Sequence, residues 1–385
     1  MNSFTRRDWL ILFLLLLAVL AVRLPFLVGP VLGGDAAYHA QAAVTVLKNG
    51  LLYRDVPYTY PPLYAYTEAV AIAILGNTSL GWKAAAQIYD LGIIALIYIV
   101  VNRISNRNKA LVAAALYGFS PLPFFATSSF ASFDSTAAFW MLLGLLLLMM
   151  KKSIPSAIAL GIGTAYKYFP ILLLPAALVY LSTKRQKILY ATASIATVAV
   201  IQLPFMLNEF KAWLNNVILY QLNRPALGAS VYNLIALHPQ LAEVQSHLTI
   251  LSPITLLLAF LLVAFSEGKS ELTLLINSAF IMVAAVFFSK VVLFYALWYI
   301  PLICTLIVAS RKRTAAITLI TSTALQVALL LCWYTYYVTA NMQSSLALAY
   351  VYLITSGLLL SWLLYDRLFS AQKTRKKHNS PFRNV

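Results

Sequence analysis

Long apolar runs, separated by short polar or basic connections, fill most of this chain. The first, 9–32, is interrupted only by Arg23 and follows Arg6 and Arg7. It exceeds a signal-peptide core, and no small-residue cleavage site precedes a soluble domain, so it reads as an uncleaved first helix. Further helices are predicted at 82–102, 110–127, 134–150, 154–166, 169–182, 187–206, 250–266, 270–289, 291–309, 314–336 and 346–364. Two of these, 154–166 and 169–182, fall below or near the lower limit of roughly 17 residues for a span, and Pro170 and Pro175 interrupt the second. The segment 61–76 (PPLYAYTEAVAIAILG) opens on two prolines, contains Glu68 and is 16 residues long, which suits a helix lying at the membrane interface. The pattern predicts an all-α polytopic membrane protein of about twelve spans, with interfacial helices in the first outer loop.

Composition agrees. Of 385 residues, 62% are hydrophobic and 10% charged, and the mean hydropathy is +0.82. Soluble domains carry about 25% charged residues, so a soluble two-domain enzyme, a disordered chain and a nucleic-acid-binding protein are all poor fits. The formal charge of +17 is read through the positive-inside rule instead. With the N-terminus cytoplasmic and 61–76 not crossing, the Arg6–Arg7, Arg103–Lys109, Lys151–Lys152, Lys184–Lys187, Lys269 and Arg311–Arg313 groups fall inside. So does a basic tail, 367–385, suited to anionic headgroups. Both termini are therefore expected in the cytoplasm. Residues 1–366 read as a single transmembrane domain with outer loops at about 30–81 and 207–249. Cys304 and Cys332 lie in apolar runs and form no disulfide or metal pattern.

On this topology Arg23, Lys48, Arg54, Lys83, Lys167, Lys211, Arg224 and Lys290 fall on or near the outer side. Asp35, Asp55, Glu68, Asp90, Asp134, Glu209 and Glu243 join them. An ionised group at the bilayer centre costs about 2.5–3.5 kcal/mol on insertion scales, so those inside apolar runs are expected to face a polar cavity with partners. A one-sided cavity holding carboxylates and cations suits an anionic, lipid-linked substrate. Gly33-Gly34 allows a sharp turn out of the membrane. Asp35 then caps a short helix, 36–48, that ends at Asn49-Gly50 and carries His39 one turn on. Asp90 is expected to be a helix–helix partner, and Arg54 with Asp55 a solvated pair. Asn77-Thr78-Ser79 matches a glycosylation sequon.

Several motifs in order resemble the C-type glycosyltransferase superfamily, multi-pass enzymes that take a sugar from a polyprenyl-phosphate carrier. Gly34-Asp35-x-x-Tyr38-His39, Gly50-x-x-Tyr53 and Tyr60-Pro61-Pro62-Leu63 are similar to the first outer loop of mannosyltransferases using dolichyl- or polyprenyl-phosphate mannose. The nearest likenesses are the GPI mannosyltransferase I family and related bacterial mannosyltransferases. Tyr89-Asp90-Leu91, Ser120-Pro121 with Phe133-Asp134-Ser135, and Gly163-x-x-x-Lys167-Tyr168-x-Pro170 continue the likeness. Tyr220-x-x-x-Arg224, Ser230-x-Tyr232-Asn233 and Lys290 with Tyr295-x-x-Trp298-Tyr299-x-Pro301 complete it. The chain departs from the family where Ala131-Ser132-Phe133 replaces an Arg-Gly-Asn, and it nearly lacks the lumenal histidine–arginine cluster.

The resemblance implies an inverting transfer of a sugar, mannose above others, to a glycolipid or lipid-linked glycan at the outer or lumenal face. Asp35 would be the general base, and Lys167, Arg224 and Lys290 would receive the lipid phosphate. His39, Asp134, Tyr60, Tyr232 and Trp298 would position sugar or acceptor, with Asp134 also open to positioning a cation or helping to hold a metal. No cofactor is implied, and a divalent metal stays open because the superfamily holds both kinds of enzyme. The competing class is a multi-pass transporter or flippase for lipid-linked sugars. A secondary transporter is expected to show two related halves and helices broken near the midplane; here the polar residues collect at one face.

Overall fold

In the computed structural model, the described residues are 4–33, 35–225, 227–236, 250–266, 269–292, 294–309, 312–337 and 347–364. The basic tail, Gly34, Arg311 and Glu243 lie outside them. The first helices are α1 (Arg6–Val28), α2 (Asp35–Leu47), α3 (Leu63–Leu75), α4 (Ser79–Ile104), α5 (Arg107–Gly118) and α6 (Pro121–Ser128). Next come α7 (Asp134–Met149), α8 (Ser153–Tyr166), α9 (Leu174–Tyr180), α10 (Lys184–Trp213), α11 (Tyr220–Asn223) and α12 (Val231–Ala236). Last are α13 (Leu251–Ala264), α14 (Glu271–Phe287), α15 (Ile300–Ala309), α16 (Lys312–Tyr337) and an apolar helix over Ala347–Leu364.

Among the described residues five helices are long and apolar enough to cross a membrane, six if α5 and α6, bent by 54°, count as one span. Shorter apolar helices, α7, α13, α14 and α15 among them, coincide with further predicted runs. The protein is a multi-pass helical bundle. As expected, 61–76 forms only a 13-residue helix, α3, paired with α2.

Three predicted spans are built differently. The run 110–127 breaks where Pro121, lacking an N–H, starts a new helix at a sharp angle. The run 187–206 continues to Trp213, bends at Glu209 (φ −147°, ψ 63°) and passes through a π turn at Leu214–Leu219 into α11. The run 291–309 is no single helix. Val291–Val292 pairs in parallel with Leu227–Gly228, a 3₁₀ turn covers Phe294–Trp298, and only then does α15 begin. Apolarity predicts burial in lipid or protein alike; it does not predict continuity.

Small residues bring the helices close. A Cβ on Gly161 of α8 would sit 2.7 Å from the Ser194 carbonyl oxygen of α10, so side-chain bulk is excluded there. On α8, Ser156 donates to the Gly144 carbonyl of α7 at 2.6 Å, meeting in apolar surroundings the cost of a buried hydroxyl. One end of the bundle is stitched by ion pairs. Arg107 binds Asp8 at 2.6 Å and Arg103 binds Glu271 at 2.7 Å; Arg103 also donates to the Met149 carbonyl at 3.0 Å. Since Met149 ends α7, its start, Asp134, lies at the opposite end, with the end of α8.

Candidate active site

The charge inside α1 is structural. Arg23 and Asp90 form a fully buried ion pair, and Tyr117 donates to the second Asp90 oxygen at 2.6 Å. Arg23 also donates to the Gly118 carbonyl at 2.8 Å and to Thr127 Oγ1 at 3.2 Å. Lys83 spends its three donors on the carbonyls of Phe26, Gly29 and Pro30 at 2.7–3.0 Å, completing the end of α1. Arg54 and Asp55 pair on the surface at 2.9 Å, as expected. None of these lines the cavities described next.

At the opposite end from the Arg103 and Arg107 pairs, four chain segments converge. Gly33, at φ 93°, turns the chain out of α1 toward α2. Asp35 occupies the first turn of α2, exposed and without a hydrogen-bond partner among the described residues. His39 follows one turn later, buried at 2% exposure. Its Nδ1 lies 2.9 Å from the Tyr58 hydroxyl, and the rings of Tyr60, Tyr64 and Phe133 stand 4.5–5.3 Å away. Burial, aided by the Lys167 charge, holds the imidazole down at about 3, so at neutral pH it is an uncharged hydrogen-bonding group.

The second segment is the loop before α7. Ala131, at φ 53°, takes the left-handed conformation that costs a non-glycine residue roughly 1–2 kcal/mol, and Ser132 N–H is tied to the Ala126 carbonyl at 2.8 Å. This turn delivers Asp134 to the start of α7. The third segment leaves α8. Lys167 is extended (φ −158°, ψ 141°), its N–H capping Gly163, and a 3₁₀ turn at Phe169–Leu173 follows. A Cβ on Gly163 would stand 3.3 Å from Pro170 Cγ and 3.0 Å from Trp140 Cβ. The Gly163…Pro170 spacing therefore lets the chain fold back and turn Lys167 inward. There Lys167 Nζ donates to Asp134 Oδ1 at 2.6 Å, with Phe133 and Tyr295 rings at 4.4 Å.

The fourth segment is 290–298. In a 3₁₀ helix residues three apart eclipse one another, so Tyr295 and Trp298 stack at 4.2 Å, and Trp298 stacks on Phe169 at 4.1 Å. Trp298 Nε1 donates to Asp134 Oδ1 at 2.6 Å. The Leu227–Val291 pairing lays this segment beside the end of α11, where Lys290 Nζ donates to the Leu222 carbonyl at 3.1 Å. Arg224 is half-buried beside the Tyr220 ring, and its Nε and Nη1 are shielded yet without a hydrogen-bond partner.

Two cavities meet at these residues. The smaller is lined by Asp35, His39, Asp134, Lys167 and Arg224, with Tyr60, Phe133 and Tyr295 as aromatic walls. The larger, about 690 Å³, is lined by Lys167, Arg224, Lys290 and Trp298 together with Leu172, Leu256 and other apolar positions of α13 and α14. Lys167, Arg224, Tyr60 and Tyr295 line both. Of the residues expected to form a site, Tyr232 alone lines neither; it is buried in α12 at 1% exposure. Phe133 and Tyr295 sat in the recognised motifs without a role; the Tyr295-x-x-Trp298 spacing was their available signal. Among the described residues no cluster of three or more His, Cys, Asp and Glu gathers to hold a metal.

Comparison with known proteins gives the arrangement a context. A family model described as dolichyl-phosphate-mannose-protein mannosyltransferase matches residues 59–208. ArnT from Cupriavidus metallidurans, solved bound to undecaprenyl phosphate, is 14% identical with a TM-score of 0.59, over 94% of this chain and 78% of that one. At that identity the likeness shows a shared fold, that of ArnT. Apo ArnT from the same organism is also 14% identical (TM-score 0.55; 92% of this chain, 76% of that one). The archaeal oligosaccharyltransferase AglB from Archaeoglobus fulgidus, in complex with an inhibitory peptide and a dolichol-phosphate, is 14% identical with a TM-score of 0.51. That match covers 94% of this chain but 56% of AglB. No curated protein sequence matches the chain.

Proposed function

We propose that this protein transfers a sugar, mannose by family likeness, from a polyprenyl-phosphate donor to a glycolipid or lipid-linked glycan acceptor. The reaction takes place at the outer face of the membrane, or in the lumen of an endomembrane system, with both termini cytoplasmic. The observation that carries the reading is the shared pocket. An exposed Asp35, without a hydrogen-bond partner among the described residues, borders the same small cavity as Lys167 and Arg224, and those two cations also line a large, mostly apolar cavity with Lys290.

The chemistry follows as a single displacement. An acceptor hydroxyl attacks the anomeric carbon, its proton passes to Asp35, and the bond to the phosphate oxygen breaks with its electron pair on the lipid phosphate. A base in that position is worth about 10²–10⁴-fold. Charge grows on the departing phosphate, so fixed donors aimed there favour the transition state over the ground state. Arg224, with unmet donors, is the principal receptor, and Lys290 and Lys167 complete it. His39, neutral and boxed by aromatic rings, orients hydroxyls rather than accepting the proton, and Tyr60 and Trp298 form walls for sugar and lipid phosphate. ArnT bound to undecaprenyl phosphate and AglB with dolichol-phosphate support a lipid-phosphate ligand for this fold.

The test is transfer by the purified protein in lipid from radiolabelled polyprenyl-phosphate mannose to a panel of membrane glycolipids. Asp35→Asn is expected to lose turnover about 10²–10⁴-fold while still binding undecaprenyl phosphate. Absence of transfer above the Asp35→Asn control, with several sugar donors, would refute the enzyme and favour a carrier.

A further inference from the structure

The cations of the site are held in different ways. Arg224 keeps Nε and Nη1 without partners. Lys167 is balanced by a buried carboxylate: Asp134 Oδ1 accepts from Lys167 Nζ and from Trp298 Nε1, each at 2.6 Å. The other oxygen, Oδ2, accepts from Ser132 at 3.1 Å. Asp134 is 4% exposed and Lys167 6%, so this pair exchanges little with solvent. Trp298 is clamped between Phe169 and Tyr295 at 4.1 and 4.2 Å. One carboxylate oxygen therefore joins a cation bordering both cavities to an aromatic stack on the wall of the larger one.

We propose that Asp134 is a positioning residue acting through Lys167 and Trp298, deepening the transferase reading on which the proposal rests. It fixes the ammonium and the Phe169–Trp298–Tyr295 stack as one unit. At the same time it cancels part of the positive field felt by a resting lipid phosphate. A site with two uncompensated cations beside Arg224 would bind the lipid anion, donor or product alike, more tightly without lowering the barrier. Uniform binding of that kind does not raise turnover. A lysine already oriented and partly neutralised contributes most when charge develops on the leaving oxygen. Asp134 thus trades ground-state affinity for turnover, and all its hydrogen bonds are made to the protein itself.

Asp134→Asn tests this, because the amide oxygen still accepts from Trp298 while the site gains one net positive charge. The expected result is a split: undecaprenyl phosphate binds about tenfold more tightly, the donor KM falls, and kcat drops about tenfold or more. A purely structural role would lower kcat and loosen binding together, and unchanged or weaker lipid binding overturns the proposal. Lys167→Met supplies a second measurement that does not depend on the first variant. Alone it strands a buried carboxylate and lowers the melting temperature; adding Asp134→Asn to it is expected to restore the melting temperature. Additive losses in the double variant overturn the coupling. If wild-type protein in lipid binds no undecaprenyl phosphate, the transferase reading falls and this proposal with it. Binding by wild type with additive double-variant losses removes this proposal alone.

Discussion

Two buried acid–base groups in this bundle look alike in sequence and differ in structure. Arg23 and Asp90 are both fully buried; both Asp90 oxygens are taken, and both terminal nitrogens of Arg23 have partners, leaving only its Nε unmet, at neither cavity. Those partners come from α4, α5 and α6, so the group ties four helices together and lines neither cavity. In the second group Asp134 and Lys167 are also paired, but the neighbouring Arg224 leaves two donors unmet, and Asp35 stands exposed without a hydrogen-bond partner among the described residues. Burial and charge do not separate structure from chemistry in a membrane protein. Hydrogen-bond capacity left over, beside a cavity, does.

Breaking the first group should cost folding. Arg23→Ala strands Asp90 and is expected to destabilise the protein by about 3–5 kcal/mol, read by thermal or denaturant unfolding in detergent. The Arg23→Met, Asp90→Leu double variant should recover most of that loss, because no uncompensated charge remains. If the double variant recovers stability yet transfers sugar far more slowly than wild type, the group has a part in catalysis and the contrast fails. For the second group the opposite is expected. Arg224→Ala should leave the melting temperature nearly unchanged while undecaprenyl phosphate affinity drops by about 10–100-fold, the worth of hydrogen bonds to a charged group. Equal losses in stability and binding would place Arg224 with Arg23.

The α2–α3 hairpin, which carries Asp35 and His39, offers smaller effects in two pH windows. Glu68 is fully buried with neither oxygen partnered, and desolvation pushes its carboxyl up to about 9. Its neutral form is the one that fits, so its stabilising contribution is complete below about 4.5 and is lost as pH rises toward 9. Glu68→Gln should therefore melt higher than wild type, by about 2–4 °C for each kcal/mol gained, at pH 8–9, and the two should converge near pH 4.5. Parallel curves across that range would show that the carboxyl is solvated. His39 works in the other direction. With its folded value held down at about 3 against 6.5, wild type should lose stability as pH falls from 6.5 toward 3, and His39→Gln should flatten that slope. A turnover inflection near 6.5 that disappears in His39→Gln would show that the imidazole titrates in the site after all.

Much of this molecule was legible as pattern. The apolar runs, the short helix within 61–76, the structural role of Asp90 and the surface Arg54–Asp55 pair are matters of hydrophobic length, proline and charge. The motifs also put Asp35, Lys167, Arg224 and Lys290 in play before any coordinates. What the pattern misjudged were the segments where apolar chain stops being helical. The 291–309 run hides a strand pairing and a 3₁₀ turn because Val, Leu and Phe are as apolar in those forms as in a helix. Tyr232, chosen from a Ser-x-Tyr likeness, lies in α12 and lines neither cavity itself, reaching the larger one only through Ser252; a short motif records spacing and not direction.

The sequence by itself determined that this chain belongs in a membrane, how many apolar segments it can offer and which ionisable residues must find partners there. Those follow from transfer free energies, which depend on residue type and run length alone. Only the tertiary structure decided the partners: Asp134 with Lys167 and Trp298 across 33 and 164 positions of chain, and Arg23 with Asp90 instead of with the site. Pairing depends on distance and unmet donors, and those exist only once distant segments have folded against one another.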